Sequence, residues 1–195
     1  MNQWFEEISL EGNEVTLIPL SKEHREDLLQ VSKDGNLWEL WYTGVPSEKT
    51  IDSYIKTALK QQQDGTSLPF VIRQNSTGKI VGCSRYCNVV TASRRVEIGY
   101  TWYAKSVQRT AINTEAKLLL LTHAFEILNS IAVEFRTHWH NHPSRNAILR
   151  LGAKQDGVLR NHIQDPDGTY RDTVVFSITN SEWPTVKKSL IHKLK

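Results

Sequence analysis

A polar, hydroxyl-rich turn runs directly into a strongly apolar helix at residues 106–128, SVQRTAINTEAKLLLLTHAFEIL. The first amides of a helix have no intrahelical partner, and the helix dipole adds partial positive charge at the same end. Such an end attracts anions, and small residues let a phosphate approach the backbone closely. The turn supplies small and hydrogen-bonding side chains together: Gln108, Arg109, Thr110, Ala111 and Asn113. The turn is therefore compatible with a phosphate site, but the local sequence alone favours an ordinary cap by Asn113 behind a polar loop.

Three histidines alternate in the segment HWHNH, at positions 138, 140 and 142. In a strand, side chains two residues apart share a face, so these imidazoles could together hold zinc. Tetrahedral zinc sites rarely take three ligands from one flat strand, and Pro143 soon ends this one. No Cys, Asp or Glu lies close by in the sequence to complete the site. We therefore predict no metal.

The elements that must position these residues follow a mixed α/β order. Turn-forming residues separate segments of strand character from segments of helical periodicity, such as the i, i+3, i+4 recurrence from Ile51 to Leu59. The predicted strands cover residues 15–20, 69–74, 79–90, 94–103, 132–139, 158–164 and 173–178. The predicted helices cover residues 22–33, 47–64, 143–151 and 182–195, in addition to the apolar helix that follows the polar turn.

This order predicts one central sheet of about seven strands, mostly antiparallel, with helices packed on it. The strand–helix–strand unit at 94–139 should be the parallel, right-handed exception. Asp165-Pro166-Asp167-Gly168 should form a hairpin turn between the last two strands. We expect residues 1–195 to form a single domain, because 195 residues suit one hydrophobic core.

The composition excludes several classes of function. The 24 basic and 21 acidic residues are interspersed and leave a net charge of only +3, so no nucleic-acid partner is predicted. No stretch approaches the roughly 18 apolar residues that cross a membrane, and no secretory leader precedes the first strand. Cys83 and Cys87 lie four residues apart in one strand, too far to bridge easily. We expect reduced thiols and a cytoplasmic protein.

Three stretches carry a resemblance to a known family: VEIGYTWYAKSVQRTAINTEAK at 96–117, NHPSRNAILRLGAKQDGVLR at 141–160 and DGTYRDTVVFSI at 167–178. Together with the element order they resemble the GNAT superfamily of acyl-CoA-dependent N-acyltransferases, most of all its ribosomal-protein N-terminal acetyltransferases. The resemblance implies a GNAT-type α/β (α+β) fold whose central parallel pair splays apart. It also implies acetyl-CoA as the cofactor.

In that superfamily the loop before the crossover helix reads Gln or Arg, two variable residues, Gly, one variable residue, then Gly or Ala. The resemblance implies that this loop wraps the coenzyme A pyrophosphate. The chain aligns with it as Gln108, Arg109, Thr110, Ala111, Ile112 and Asn113. Ala111 and Asn113 replace the usual small residues. Ala resists positive φ, whereas Asn tolerates it.

The resemblance further implies that strand 94–103 bulges, so that backbone groups of Trp102, Tyr103 and Ala104 meet the pantetheine arm. It places Asn141 on pantetheine, Ser144 beside the thioester sulfur and Arg145 close to the cofactor. Alternatives stay open at two of these places. Trp102 could simply be packed in the core, and Asn141 or Ser144 could simply cap the short helix.

Acetyl transfer needs a neutral amine, because an ammonium group has no lone pair with which to attack the thioester. Glu97 is the candidate base, since it lies between apolar Val96 and Ile98, where burial would raise the pKa of its carboxyl. Alternatively it is a solvated charge, or it pairs with one of three arginines, Arg94, Arg95 or Arg136. Ser144 is the first candidate to stabilise the leaving thiolate and Tyr103 is the second.

Four residues are predicted to contact the acceptor: Trp38, Trp41, His138 and His140. The two tryptophans lie in the loop between the first two helices, and one histidine could assist deprotonation. The sequence thus predicts an N-acetyltransferase that acts by direct attack in a ternary complex, on a protein N-terminus or on a small amine such as a drug, polyamine or amino acid. The alternative is a non-catalytic CoA-binding or regulatory module. A homodimer is compatible with either.

Overall fold

The computed structural model describes residues 6–165 and 167–195. In this part of the chain, eight strands form one sheet in the order β1-β2-β3-β4-β5-β6-β8-β7. Neighbouring strands are antiparallel except β5 and β6, which run parallel. The strands are β1 (Leu10–Glu11), β2 (Val15–Pro19), β3 (Ser67–Gln74), β4 (Ile80–Val90), β5 (Arg95–Tyr103), β6 (Ala132–His138), β7 (Lys154–Gln164) and β8 (Tyr170–Thr179). The predicted fold class is confirmed.

The same residues contain five α-helices. They are α1 (Arg25–Lys33), α2 (Ile51–Gln63), α3 (Ala111–Thr122), α4 (His142–Leu151) and α5 (Trp183–Lys193). A π-helical turn, His123–Ile127, extends α3. Within the described ranges, no helix combines the length and the apolar character that a membrane crossing requires.

Helices cover both faces of the sheet, because successive strand residues point to opposite sides and each side is apolar. On one face, Leu120 of α3 and Leu190 of α5 belong to a buried cluster that includes Phe135 of β6. On the other face, Leu28 of α1 and Ile55 of α2 belong to a second cluster. We call these the α3 face and the α1–α2 face.

Two strands begin three or more residues earlier than the sequence predicts. β7 begins at Lys154 and β8 at Tyr170, whereas the predicted strands cover 158–164 and 173–178. β7 is an edge strand with mostly exposed side chains, so its sequence carries no apolar alternation that marks its start. The eighth strand, β1, is only two residues long and is too short to show any periodicity.

A turn connects β7 and β8, as predicted. The Gly168 amide donates a hydrogen bond to the Asp165 carbonyl at 2.9 Å, and Gly168 has the left-handed φ of 87° that glycine favours. Pro166, part of the same predicted turn, lies outside the described residues.

The parallel pair at the centre of the sheet separates. β5 pairs with β6 only over Arg95–Glu97. Along its other edge β5 stays paired with β4, but the register shifts just before Trp102. Tyr100 and Thr101 occupy this β-bulge, and Tyr100 has a left-handed φ of 51°. A bulge bends its strand, so β5 turns away from β6 and opens the edge beyond Glu97. The splay and the bulge expected from the resemblance are both confirmed.

Candidate active site

The polar turn ahead of α3 leaves several backbone amides free. α3 begins at Ala111, and the Thr110 hydroxyl accepts a hydrogen bond from the Ile112 amide at 3.4 Å, so Thr110 is the N-cap. The amides of Arg109, Thr110 and Ala111 have no acceptor among the residues that the structure describes. Free amides at a helix N-terminus, together with the helix dipole, form an arrangement that binds phosphate. We call the amides of these three residues the amide cradle.

The alternative in which Asn113 caps this helix is wrong. Thr110 takes that position, while Ala111 and Asn113 lie in the first helical turn. The residue with left-handed backbone is Arg109, at φ 65°, directly before the cap. Because neither Ala111 nor Asn113 has a positive φ, neither position requires glycine. Their departure from the family loop therefore introduces no backbone strain.

Neighbouring elements hold the turn in place. The Ser106 amide donates to the Asp34 carboxylate at 3.1 Å, and the Lys105 amide donates to the Asp34 carbonyl at 3.1 Å. Gln108 Nε2 donates to the Tyr103 carbonyl at 3.1 Å. The turn is thus tied to the end of α1 and to the end of β5 by groups of the protein itself.

The edge of β5 that faces the gap between β5 and β6 has backbone groups that are hydrogen-bonded and others that are not. The Tyr103 carbonyl already accepts from Gln108, and the Ala104 amide donates to the Val81 carbonyl at 2.9 Å. Between 98 and 102, β6 no longer pairs with β5. A cofactor arm that meets this edge would therefore use backbone groups of 98–102 rather than those two.

Trp102 is packed in the core, as the alternative for its side chain stated. Its indole N–H donates to the Tyr54 hydroxyl at 3.1 Å, and its side chain belongs to the cluster on the α1–α2 face. Gly82 of β4 makes this packing possible, because a Cβ there would lie 2.6 Å from the Trp102 carbonyl oxygen. The role expected for the Trp102 backbone is independent of this side-chain packing.

Glu97 is the last residue of β5 that pairs with β6, and it is only 7% exposed. Asn88 Nδ2 donates to its carboxylate at 2.8 Å, and the Arg136 Nε lies 3.5 Å away. Burial raises the pKa of Glu97, and the Asn88 hydrogen bond and the Arg136 charge oppose that rise. Glu97 thus has the buried environment expected of a base and also one of the ion pairs of the alternative. Arg95 pairs instead with Glu134, at 2.6 Å.

Tyr103 lies on the opposite face of β5 from Trp102, in the cluster that packs against α3. Its hydroxyl is buried without a hydrogen-bond partner in the described part of the chain. Burial raises the pKa of this hydroxyl, which therefore keeps its proton. Tyr103 can donate a hydrogen bond but cannot serve as a base near neutral pH.

The start of α4 lies just beyond the end of β6. The Asn141 side-chain oxygen accepts from the Ser144 amide at 3.0 Å, so Asn141 is the N-cap, as the alternative stated. The half-buried Ser144 hydroxyl has no hydrogen-bond partner within residues 6–165 and 167–195. Arg145 donates to the Trp139 carbonyl at 3.0 Å, and its guanidinium lies 4.4 Å from the Trp139 ring centroid. Ser144 is thus free to contact a ligand, whereas Arg145 is held by the turn.

Three of the residues predicted to bind the acceptor form one cluster. The Trp41 ring centroid lies 5.1 Å from His138 and 5.7 Å from His140, and the two imidazoles are 5.6 Å apart. Trp41 is 70% exposed, so the cluster opens to solvent. Trp38 lies on a half-buried helical turn nearby in sequence and is not among the rings in contact here.

His138 is held neutral at the base of this cluster. Burial lowers its pKa most, the charges of Arg171 and His140 lower it further, and the carboxylates of Asp165 and Asp172 oppose the shift. The His140 amide donates to His138 Nδ1 at 3.0 Å, which assigns the proton of the neutral ring to Nε2. His138 therefore presents a hydrogen-bond donor to this cluster.

His142 does not join the other two histidines. β6 ends at His138, and the chain turns so that His142 opens α4. In the described ranges, no group of three His, Cys, Asp or Glu side chains is arranged to hold a metal ion. Cys83 and Cys87 are both buried free thiols.

A family comparison decides what this arrangement belongs to. Residues 14–154, well over half of the chain, match the model of the acetyltransferase (GNAT) domain. The chain belongs to the GNAT acetyltransferase family. The GNAT fold binds acetyl-CoA, which confirms the cofactor predicted from the sequence.

Relatives of this GNAT chain are found among bacterial proteins. YdaF of Bacillus subtilis (strain 168), named as a ribosomal N-acetyltransferase, is 32% identical over 106 residues, which are 54% of this chain and 57% of YdaF. A GCN5-related N-acetyltransferase from Brucella melitensis is 28% identical, with a TM-score of 0.88 over 97% of this chain and 86% of its own. Mycobacterium smegmatis RimJ, in complex with CoA-disulfide, shares the fold at 23% identity, with a TM-score of 0.80 over 97% and 96% of the two chains.

The sequence gives little indication of two buried cations, Arg85 in β4 and Lys117 in α3. Arg85 is 3% exposed and Lys117 is 5% exposed. They flank the β5 bulge, with Arg85 over the Tyr100 ring at 3.9 Å and Lys117 Nζ donating to the Thr101 hydroxyl at 2.7 Å. The only sequence signals were a charge within a strand and a charge within an apolar helix.

Proposed function

We propose that this GNAT chain transfers the acetyl group of acetyl-CoA directly to a primary amine while both substrates are bound. One observation carries the proposal: the amide cradle and the buried Glu97 carboxylate lie at the two ends of a strand edge that β6 leaves unpaired. A cofactor lying along this edge would have its diphosphate at the cradle and its thioester near Glu97.

The cofactor site follows from this placement. The amides of Arg109, Thr110 and Ala111 would hold the diphosphate, and Ile112 and Asn113 continue the first turn of the helix behind them. Gln108 would act by fixing the end of β5. The unpaired edge from 98 to 102 would meet the pantetheine arm, with Asn141, Ser144 and Arg145 at the start of α4 on its other side.

The chemistry requires two proton movements. Glu97 would take a proton from the acceptor ammonium, and its buried position makes the carboxylate a stronger base than an exposed one. The amine nitrogen then bonds to the carbonyl carbon, and the carbon–sulfur bond breaks to release a thiolate. The second proton leaves the nitrogen as it becomes an amide and is passed to this thiolate, which departs as the thiol. The Ser144 hydroxyl would stabilise that thiolate, with Tyr103 as the second candidate donor. No residue of the protein is acylated in this scheme.

The acceptor would enter on the α1–α2 face, where Trp41, His138 and His140 form an exposed aromatic cluster and Trp38 lies in the same loop. His140 could receive the acceptor proton in place of Glu97. The name of YdaF, a ribosomal N-acetyltransferase, supports an amine of a ribosomal protein, such as its N-terminus, as the acceptor. A small-molecule amine is the other member of the class that we propose.

Acetyl-CoA turnover with a panel of peptides and small amines, followed by mass spectrometry of the products, tests this proposal. Glu97→Gln and Ser144→Ala should each slow thiol release, whereas Glu11→Gln, which removes an exposed carboxylate on the edge strand β1, is the matched control. If both variants keep the wild-type rate, the assigned roles are wrong. If acetyl-CoA binds but no amine is acetylated, the chain is a CoA-binding module.

Three further properties stay predictions. We infer a cytoplasmic location, because buried free thiols are the form that a reducing compartment maintains. Limited proteolysis would check whether residues 1–195 form one domain. Sedimentation would check whether the chain forms a homodimer.

A further inference from the structure

Arg85 is a buried cation without a carboxylate partner. It lies in the middle of β4 and is 3% exposed, and no salt bridge in the described residues involves its guanidinium. Its one side-chain hydrogen bond runs from Nη1 to Gln61 Oε1 at 2.8 Å, and Gln61 is a neutral amide. Removing a charge from water without an opposite charge is costly, so the site is built to receive an anion from elsewhere.

Two aromatic rings hold this guanidinium in place. Its central carbon lies 3.9 Å from the Tyr100 ring centroid and 5.3 Å from that of Tyr54. Tyr100 reaches this position through the left-handed backbone of the β5 bulge, a conformation that a bulky residue rarely adopts. Stacking on aromatic rings leaves the edge of the guanidinium free, and that edge is the part that binds a carboxylate with two hydrogen bonds.

The guanidinium lines a cavity that opens toward α2. The cavity has a volume of about 320 Å³, and its walls include Pro46, Tyr54, Gln61, Arg85 and Tyr100. Its rim is the chain from Gly44 to Pro46, which follows the loop that carries Trp41. The cavity therefore lies on the α1–α2 face, where the acceptor would enter.

We propose that Arg85 binds a carboxylate of the amine acceptor, so that the acetyltransferase selects amines that carry an acidic group. This inference rests on the proposed function and adds to it the chemical class of the acceptor. It assigns the cavity as an acceptor subsite with Arg85 as its anion-binding residue and Tyr100 as the residue that positions it.

The sheet register sets how far apart the two groups of the acceptor must lie. Glu97 is paired with Cys87, and Arg85 is two residues further along β4 on the same face, so it is a diagonal neighbour of Glu97. The Cα atoms of diagonal neighbours are about 7–8 Å apart. This spacing favours an acceptor whose ammonium and carboxylate are further apart than those of an α-amino acid. The acceptor carboxylate must therefore be several bonds from its amine, as in an N-terminal glutamate or an ω-amino acid.

Two pairs of acceptors test this. The small-molecule arm compares 4-aminobutyrate with 4-aminobutanamide, and the peptide arm compares two peptides that differ only in an N-terminal Glu or Gln. In at least one arm, the wild type should show a kcat/KM about tenfold to a hundredfold higher for the carboxylate, which is the effect of a hydrogen-bonded charge pair. The arm that discriminates identifies the source of the carboxylate.

Two variants should erase this preference by different routes. Arg85→Met removes the cation, and Gln61→Glu places a carboxylate of the protein at the same Nη1 atom, so the guanidinium no longer needs an external anion. Arg73→Met removes an exposed arginine of β3 and is the control that keeps the preference. Calorimetry of 4-aminobutyrate binding to the CoA complex gives a second measurement that does not depend on turnover.

The outcomes separate the two proposals. Equal kcat/KM within both pairs, or a preference that survives in both Arg85→Met and Gln61→Glu, overturns the role of Arg85 and leaves acetyl transfer standing. Loss of 4-aminobutyrate binding in Arg85→Met, with no amine of any kind acetylated, supports the anion subsite and overturns the proposed function. If the two members of each pair bind the wild type equally, in the small-molecule arm and in the peptide arm alike, and none is acetylated, the subsite is wrong.

Discussion

Lys117 gives a stability prediction with a definite dependence on pH. Its ammonium group is buried under the β5 bulge, where Nζ donates to the Thr101 hydroxyl at 2.7 Å and to the Ser84 hydroxyl at 3.2 Å. Burial lowers the pKa of Lys117 from 10.5 to about 7, and the nearby Cys83 opposes this shift. The difference of about 3.5 pH units corresponds to about 5 kcal/mol, since each unit is worth about 1.4 kcal/mol.

The sign follows from proton binding. Between about pH 7 and 10 the unfolded chain holds a proton on this lysine that the folded protein lacks, so the free energy of unfolding rises with pH. Below pH 7 both states are charged, and the full cost of burying the ammonium remains. Lys117→Met removes that cost and leaves the Ser84 and Thr101 hydroxyls 2.7 Å apart, hydrogen-bonded to each other.

We expect Lys117→Met to raise the free energy of unfolding at pH 7 by roughly 2–5 kcal/mol, with a gain that shrinks toward pH 9.5. Urea unfolding of both proteins at several pH values measures this. Lys56→Met, at an exposed position of α2, should change the stability by less than about 0.5 kcal/mol at each pH. If Lys117→Met and wild type have the same stability across the whole range, Lys117 is not a buried charge.

The other predictions concern the site and the bulge. Glu97→Gln should lower kcat by about 10²–10⁴-fold without weakening acetyl-CoA binding, which steady-state kinetics would check. Because burial raises the pKa of Glu97, the wild type should also lose stability relative to this variant as the pH rises through that pKa, which urea unfolding would check. Gly82→Ala should destabilise the protein by about 1–3 kcal/mol, because the new Cβ would lie 2.6 Å from the Trp102 carbonyl oxygen. Gly44→Ala is the control, since a Cβ at that position would have no atom within 4 Å. Equal urea midpoints for the two variants would contradict this. Trp41→Ala should raise the KM of the acceptor and leave the Kd of acetyl-CoA unchanged. A change in the Kd of acetyl-CoA alone would mean that Trp41 contacts the cofactor and not the acceptor.

Most of the fold could be predicted because its signals are local. Apolar recurrence from Ile51 to Leu59 marks α2, and short turn-forming segments separate the central strands. The start of β7 could not be predicted, because an exposed edge strand buries too little apolar surface to show a pattern. The sequence places the cap of α3 three residues too late, because Thr and Asn are both good caps and only the folded structure shows the extended backbone of Thr110.

The burial of Arg85 and Lys117 could not be predicted from the local sequence, for a different reason. An arginine within a strand is more often exposed than buried. The burial of Arg85 depends on Tyr54 and Tyr100, which are distant in sequence. Only the family resemblance predicts the splay of β5 from β6 and the bulge in β5, because nothing in the sequence around Tyr100 indicates a left-handed backbone there. Glu97 was recognisable because flanking apolar residues indicated its burial, although its Asn88 partner was not.

The binding of acetyl-CoA by the amide cradle is the claim on which the account depends. Calorimetric titration of Ala111→Asp and Ala111→Asn with acetyl-CoA tests it most directly, because residue 111 is exposed and an acidic residue in the first turn favours the helix. We predict that wild type and Ala111→Asn bind acetyl-CoA, and that Ala111→Asp stays folded but binds at least about tenfold more weakly, since its carboxylate repels the diphosphate. Equal affinity of the Asp and Asn variants, or no binding by the wild type, would contradict the account.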